Sequence, residues 1–414
     1  MCVTKKRDRV DQVEPKLPTP ITNQSKIVTN APAPSVATRP TVSEAPTKGG
    51  PGDSKDSNAS NKEPSTKKSK KSKKSKKSVK QPPTDSMKVA KCSKKSAEKV
   101  MKWVLRTLQI GVDGLVAEFR DMNAKWLVEN MTTKAFAENK EKNRYQDVPC
   151  QDKGRVVLKF PGVTTDYIHA NYVGTHVNPK RFICTQGPLE KTLFDFWAMV
   201  IQEETEIIIM LCNFCELDKI KCEPYWPSDK NEEGKKQIMK FGTAPNEITV
   251  TSTSVQKMKD EHGINVTVLK VEWTDGGNAK ERIVKHFQWE TWPDRGVPLN
   301  KLTPAELLSA VRANGKPIVV HCSAGIGRTG TIVAIAYVQE KMQAGEECME
   351  MIELVKELRR QRPCSIQNEM QYLYLHRVLL AYFLEKHKTK VKVPPQAQAQ
   401  YEEWVARYDN LTKG

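Results

Sequence analysis

The sequence predicts an α/β domain, with a central mixed β-sheet flanked by α-helices, behind a disordered basic N-terminal tail. Three observations carry this. From Arg155 onward, short β-rich runs alternate with runs at helical spacing, and the last third is helical, as a sheet wrapped by helices requires. All eight Trp of the 414 residues lie beyond residue 100, where a core can be buried. Residues 1–100 instead hold 24 Lys and Arg against 9 Asp and Glu, which accounts for 15 of the chain's 18 net positive charges. Such a segment buries too little apolar surface to offset its chain entropy.

The tail is expected over residues 1–95. Its centre is four Lys-Lys-Ser units from Lys67 to Ser78. These read either as a solvated linker or as an address for an anionic partner: an import receptor, nucleic acid or an anionic membrane. The interleaved serines would let phosphorylation cancel the charge. No aromatic residues interleave, which argues against base stacking. Beyond the tail, Val100, Val104, Leu105 and Leu108, then Leu115, Val116, Phe119 and Met122, recur at helical spacing, with a break expected at Gly111 and Gly114.

Strands are expected at Val156–Phe160, Ile207–Leu211, Val266–Trp273, Ile283–Glu290 and Ile318–His321. Helices are expected at Leu189–Glu204, Pro304–Ala313, Arg328–Gln343, Cys348–Gln361 and Gln367–Lys386. A folded domain is thus expected over residues 96–386. Residues 387–414 read as a C-terminal tail holding a short, weakly held helix around Tyr401–Val405.

Ten cysteines are scattered through the chain. Cys212 and Cys215 make one C-x-x-C pair, but no second pair or His cluster completes a zinc site, so both read as core or lining residues. No apolar run approaches the ~18–20 residues of a membrane span, and the N-terminus lacks an apolar signal core.

One segment carries chemistry: His321-Cys322-Ser323-Ala324-Gly325-Ile326-Gly327-Arg328-Thr329-Gly330. A strand-like run leads in and a helix-like run leads out. A Gly-rich turn so placed aims backbone N–H groups and a helix N-terminus at one point, a geometry that binds a tetrahedral anion such as phosphate. The same field favours a thiolate, so Cys322 is expected as a nucleophile. Arg328 adds a planar fork matched to two phosphate oxygens. There is no Gly-Lys-Ser/Thr ending, so this is not a nucleotide loop. A nucleophilic thiolate needs a reducing compartment, which implies an intracellular, cytoplasmic protein, with the nucleus as a second location.

Attack on a phosphate ester expels an alkoxide or phenoxide, which needs a proton from a positioned acid. Asp294, in Glu290-Thr291-Trp292-Pro293-Asp294-Arg295-Gly296-Val297-Pro298, sits on a turn whose Gly and Pro residues suit a moving lid.

With these segments in hand, the chain resembles the non-receptor, single-domain protein tyrosine phosphatases over about residues 115–386. The family's landmarks occur in order. Lys142-Asn143-Arg144-Tyr145-Gln146-Asp147-Val148-Pro149 resembles the phosphotyrosine-recognition loop. Asp166-Tyr167-Ile168-His169-Ala170-Asn171-Tyr172 and Thr185-Gln186-Gly187-Pro188-Leu189 resemble two structural signatures. Glu216, Lys221-Cys222 and Tyr225-Trp226-Pro227 resemble the buttressing loop, and Gln367-Asn368-Glu369-Met370-Gln371-Tyr372 the glutamine loop.

The resemblance implies a two-step hydrolysis of protein phosphotyrosine through a phosphocysteine, without metal or cofactor. Cys322 would attack, while Arg328 and the N–H groups of Ser323, Ala324, Gly325, Ile326 and Gly327 hold the oxygens. Asp294 would be acid and then base, and Gln367 and Gln371 would position water. Thr329 would hydrogen-bond the thiolate. Tyr145 would wall the slot, and Asp147 would anchor the substrate backbone. Glu216, His321 and Lys221 would support the site. Departures are His169 where Asn is usual, Leu217 where Lys is common, Gln146 in place of a basic residue, and Pro363-Cys364-Ser365 before Gln367. Two rival readings are a phosphotyrosine-binding pseudophosphatase and a phosphatase for non-tyrosine phosphate. The intact Cys, Asp and Arg oppose the first, and the Tyr145 loop opposes the second.

Overall fold

Four parallel strands, three of them buried at every position, define the centre of the sheet. The computed structural model describes residues 94–176, 178–227, 237–259, 263–386 and 394–412. The expected tail, up to residue 93, lies outside the described residues.

The chain opens with α1 (Lys94–Lys125) and the short α2 (Lys134–Glu138), followed by β1 (Arg155–Val157), β2 (Tyr167–Val173) and β3 (Phe182–Thr185). Next come α3 (Leu193–Gln202), β4 (Ile207–Met210) and a two-stranded hairpin, β5 (Cys215–Glu216) and β6 (Lys219–Ile220). An antiparallel run follows: β7 (Ile238–Phe241), β8 (Ile248–Lys257), β9 (Ile264–Asp275) and β10 (Asn278–Trp289). The last third holds α4 (Thr303–Val311), β11 (Ile318–His321), α5 (Gly327–Gln343), α6 (Met351–Gln361), α7 (Glu369–Ala381) and α8 (Pro395–Thr412).

Nine strands form one sheet in the order β1-β2-β3-β11-β4-β10-β9-β8-β7. β3, β11, β4 and β10 run parallel, and antiparallel strands complete both edges. β4 (Ile-Ile-Ile-Met) and β11 (Ile-Val-Val-His) are buried at every position, as parallel strands covered on both faces require.

Register then decides where chemistry can occur. His321 lies level with Thr185 of β3 and with Met210 of β4, and Met210 lies level with Gln288 of β10. Four parallel strands therefore end within a residue or so of one another, and the loops that follow them emerge at one edge. That edge is where ligands bind in open α/β sheets.

On the helical side α5 packs against β11 and β3, α7 against α5, and α1 against α7 and α8. The expected break in the first helical run falls at Gly111, whose φ of 71° and ψ of 172° interrupt α1; Gly114 stays helical. Leu105, expected on the buried stripe, lies on its outer edge. β7 and β8 went unforeseen because β7 has only four residues and the apolar alternation of β8 stops after Val250, giving way to Thr and Ser.

The expected C-terminal tail is corrected. Residues 395–412 form one continuous helix, with Ala397, Tyr401, Trp404 and Tyr408 buried. Their spacing places one stripe toward α1 and α7. Trp404 stacks on Tyr408, Arg407 pairs in a fork with Asp113 of α1, and Arg377 donates to the Tyr401 hydroxyl. A buried stripe of four large or packed side chains outweighs the marginal propensity of so short a helix. Replacing Trp404 by Ala is expected to cost about 3 kcal/mol of stability in urea unfolding, as large-to-small core changes do. An unchanged midpoint would contradict the docking of α8.

Candidate active site

The loop between β11 and α5 is shaped from outside. The carbonyl of Ser323 accepts from the Gly187 N–H at 2.9 Å, and those of Ala324 and Gly325 accept from Arg362 at 3.1 Å each. The Ile326 carbonyl accepts from the Ile366 N–H at 3.0 Å. In a planar trans peptide the N–H points opposite to the C=O. Four consecutive carbonyls tied outward therefore turn the N–H groups of Ala324, Gly325, Ile326 and Gly327 inward. The Gly325 N–H reaches Cys322 Sγ at 3.3 Å. Gly325 has φ +70°, and a Cβ there would lie 2.0 Å from the Thr185 carbonyl oxygen, so only glycine fits.

Arg328, on the first turn of α5, is almost wholly buried. Nη1 and Nη2 bind the two carboxylate oxygens of Glu216 at 2.6 and 2.8 Å, and Nη1 also donates to the Trp292 carbonyl at 3.0 Å. Burial works against its charge, but the Glu216 hydrogen bonds and the nearby Cys322 outweigh this and raise its pKa above the ordinary range. The guanidinium is permanently charged and fixed in orientation.

Asp294 is seated over the loop. One oxygen accepts from Lys221 Nζ at 2.6 Å and the other lies 3.4 Å from Arg328 Nη2. Burial pushes its pKa up, but Lys221 and Arg328 prevail and hold the carboxyl below its usual value. The acid loop is pinned further by Asn368 Nδ2, which donates to the Arg295 carbonyl, and by Trp292 Nε1, which donates to the Gly296 carbonyl.

The Tyr145 hydroxyl hydrogen-bonds Ser323 Oγ at 2.8 Å, so the slot wall and the loop share an edge; Asp147 is exposed beside it. Ser323 Oγ in turn donates to the Lys221 carbonyl. The two glutamines reach the same loop. A Cβ on Gly327 would lie 2.9 Å from the amide of Gln371 and 3.1 Å from that of Gln367. Gln371 Oε1 accepts from the Gln367 N–H, and Asn368 caps α7.

His321 is buried and neutral, donating through Nδ1 to the Cys322 carbonyl and accepting from the Tyr225 hydroxyl at 2.7 Å. The expected Thr329–thiolate hydrogen bond is not formed: Thr329 Oγ1 is buried with no hydrogen-bond partner, and Sγ takes the Gly325 N–H instead. Cys212 is buried as expected, but Cys215 is exposed on the hairpin.

Residues 139–381 match the model of the protein-tyrosine phosphatase family. The chain belongs to the protein-tyrosine phosphatase family. It is 35% identical over 288 residues to human tyrosine-protein phosphatase non-receptor type 9, covering 65% of this chain and 46% of that protein. It is 36% identical over 250 residues to the Lar-like tyrosine-protein phosphatase of Caenorhabditis elegans, covering 58% of this chain and 10% of that one. The chain thus spans less than half the length of these curated relatives. Among solved structures it is similar to the catalytic domain of human protein tyrosine phosphatase non-receptor type 18, with a TM-score of 0.57 at 30% identity over 70% of this chain and 99% of that one. That phosphatase has also been solved in complex with HER2 phosphopeptides, a match with a TM-score of 0.56 and 30% identity over 65% of this chain and 92% of that one.

Within this phosphatase domain, three positioning residues escaped sequence reasoning. Arg362, fully buried, holds two of the loop carbonyls; its partners lie 37 to 193 positions away, so no local pattern marks it. Gln186 fixes the Tyr145 loop through the Arg144 N–H and the Lys142 carbonyl. His169, noted only as a departure, is a strut. Its Nε2–H donates to the Val148 carbonyl at 2.9 Å and its Nδ1 accepts from Arg362 at 3.1 Å. The Pro363-Cys364-Ser365 departure is held locally: Ser365 Oγ donates to the Arg362 carbonyl, and Arg359 binds the carbonyls of Ser365 and Ile366.

Burial depresses the pKa of His169 to about 3 and those of His321 and His376 to about 4. The unfolded chain takes up these protons near pH 6.5, whereas the folded chain takes them up only near pH 3–4. Stability is therefore full above pH 6.5 and falls as pH drops toward 4, each imidazole costing at most about 1.4 kcal/mol per pH unit. Urea midpoints measured from pH 7 to pH 5 should fall steadily, and a flat profile would refute the neutral, buried state of these rings.

Proposed function

We propose that this chain hydrolyses phosphotyrosine in proteins through a phosphocysteine intermediate. The observation that carries the reading is the convergence of Cys322, Arg328 and Asp294 with four inward N–H groups on one anion-sized point, beside the slot walled by Tyr145. The likeness to a phosphatase solved with phosphopeptides supports the same substrate class.

In the first step Cys322 Sγ attacks phosphorus in line with the tyrosine oxygen. The S–P bond forms as the P–O bond breaks, and Asp294 gives its proton to the departing phenolate. The equatorial oxygens lie against the inward N–H groups and Arg328, which stabilise the transition-state charge. In the second step water, held by Gln367 and Gln371, loses a proton to Asp294 and attacks phosphorus. The S–P bond breaks and Cys322 Sγ leaves as the thiolate, accepting from the Gly325 N–H. Asp147, exposed beside Tyr145, binds substrate backbone N–H groups. The Lys-rich tail is read as an intracellular address that pairs with an anionic partner.

Cys322→Ser is expected to abolish turnover of a phosphotyrosine peptide while retaining its binding by calorimetry. Turnover equal to wild type would refute the nucleophile. Asp294 must be protonated to act first, and Lys221 holds it deprotonated. Lys221→Met should therefore raise its pKa, so that the alkaline fall in kcat/KM occurs at higher pH. A shift to lower pH would contradict this assignment.

A further inference from the structure

The β5–β6 hairpin carries two features that catalysis does not require. Its strands pair as Cys215 with Ile220 and Glu216 with Lys219, which leaves Leu217 and Asp218 as a two-residue turn. Both have positive φ, +50° and +58°. This is the type I′ geometry whose twist matches antiparallel strands and whose central positions favour Asn and Gly. Leucine is poorly suited to a left-handed backbone. It also gains nothing here by burial, since Leu217 is 82% and Ile220 64% exposed. Local conformation and solvation thus both disfavour the residue found at the tip. Where a sequence breaks a local rule without a gain in the fold, function is the expected reason.

The position of the hairpin says what that function is. It is anchored on all sides by the site: Glu216 binds Arg328, Lys221 binds Asp294, and Asn213 Nδ2 donates to the Glu290 carbonyl at 2.9 Å. Arg144, next to Tyr145, donates to the Ile220 carbonyl and binds the Gly187 carbonyl. The tip therefore stands at the rim of the slot, between the Tyr145 loop and the acid loop. At the tip the charges of Asp218 and Lys219 cancel, Gln146 is uncharged, and the guanidinium of Arg144 is taken up by the carbonyls of Gly187, Pro188 and Ile220, so Leu217 and Ile220 are the distinctive features of that rim.

We propose that Leu217 and Ile220 contact an apolar side chain flanking the phosphotyrosine of the substrate, so that this chain selects phosphotyrosine sites with apolar rather than acidic neighbours. The proposal rests on the phosphotyrosine-phosphatase reading and adds the class of peptide. The occupant follows from continuity with the slot: a peptide anchored at Tyr145 and Asp147 must pass this rim.

The test uses full-length protein and phosphotyrosine peptides in which Leu, Ala or Glu is placed in turn at each position from three before to three after the phosphotyrosine. At one or more positions kcat/KM should be at least about fivefold higher for Leu than for Glu, within the range of apolar pocket contacts. In Leu217→Gly this ratio should fall below about twofold and in Leu217→Lys it should reverse, while p-nitrophenyl phosphate turnover is unchanged in both. Because glycine suits the turn, the urea midpoint of Leu217→Gly should be equal to or above that of wild type. Equal wild-type rates for Leu and Glu peptides, or a ratio that neither variant moves, would overturn the proposal. Failure of the wild type to turn over any phosphotyrosine peptide would instead overturn the reaction itself.

Discussion

The planarity of four peptide bonds is the constraint on which the rest of the site depends. A backbone N–H attracts an anion only if it is aimed, and nothing in Ser323, Ala324, Gly325 or Ile326 aims itself. Each carbonyl is held from outside the loop, by Gly187, by Arg362 twice and by Ile366, so each following N–H has one direction left. The holders come from β3's loop, from the residue after α6 and from the residue just before the glutamine loop. Parallel strands ending level bring those segments within reach. The sheet register is thus the remote cause of the anion site. Arg362 is the nearest cause, since its removal would free two carbonyls at once.

A second constraint is the Glu216–Arg328 pair. Taking two charges out of water costs several kcal/mol per ion, which mutual attraction repays only with good geometry. The pair is therefore weak evidence for stability and strong evidence for orientation. Its fork occupies both terminal nitrogens of Arg328, and the Trp292 carbonyl takes a further proton. The remaining proton of Nη2 makes only the 3.4 Å contact to Asp294. Because Trp292 precedes the acid by two residues, the same guanidinium that meets the phosphate also seats the lid.

What was legible in the sequence had local causes. The β11–loop–α5 segment is contiguous, so its strand, glycines and helix could be read together. The acid turn announced itself by Pro293 and Gly296, and the resemblance supplied the residues that are distant in sequence. What was not legible depends on contacts between distant segments. Arg362 and His169 act through each other across 193 positions, and nothing in either neighbourhood signals it. Thr329 illustrates the opposite error: a hydroxyl of the right type near the right sulfur was expected to bond it, but the loop gives Sγ a backbone N–H instead. The α8 stripe of Ala397, Tyr401, Trp404 and Tyr408 was present in the sequence, but reading it required knowing that α1 and α7 leave a face to cover.

The charge balance of the site explains how one carboxylate can be an acid in a field that keeps it ionised. At rest the cluster pairs two cations, Lys221 and Arg328, with two carboxylates, Glu216 and Asp294. These four charges cancel, and the Cys322 thiolate that the mechanism requires adds one negative charge beside them. A phosphate dianion entering beside Arg328 adds two more negative charges to a half-buried site. Taking up one proton is the least costly correction. Both oxygens of Glu216 are engaged by Arg328 at 2.6 and 2.8 Å. Asp294 is held below its usual value mainly by Lys221, at 2.6 Å, and its contact to Arg328 is 3.4 Å long, so it is the carboxyl that an added anion can raise. In the proposed mechanism the substrate's own charge therefore selects Asp294 as the site of protonation, the carboxyl assigned to the leaving oxygen.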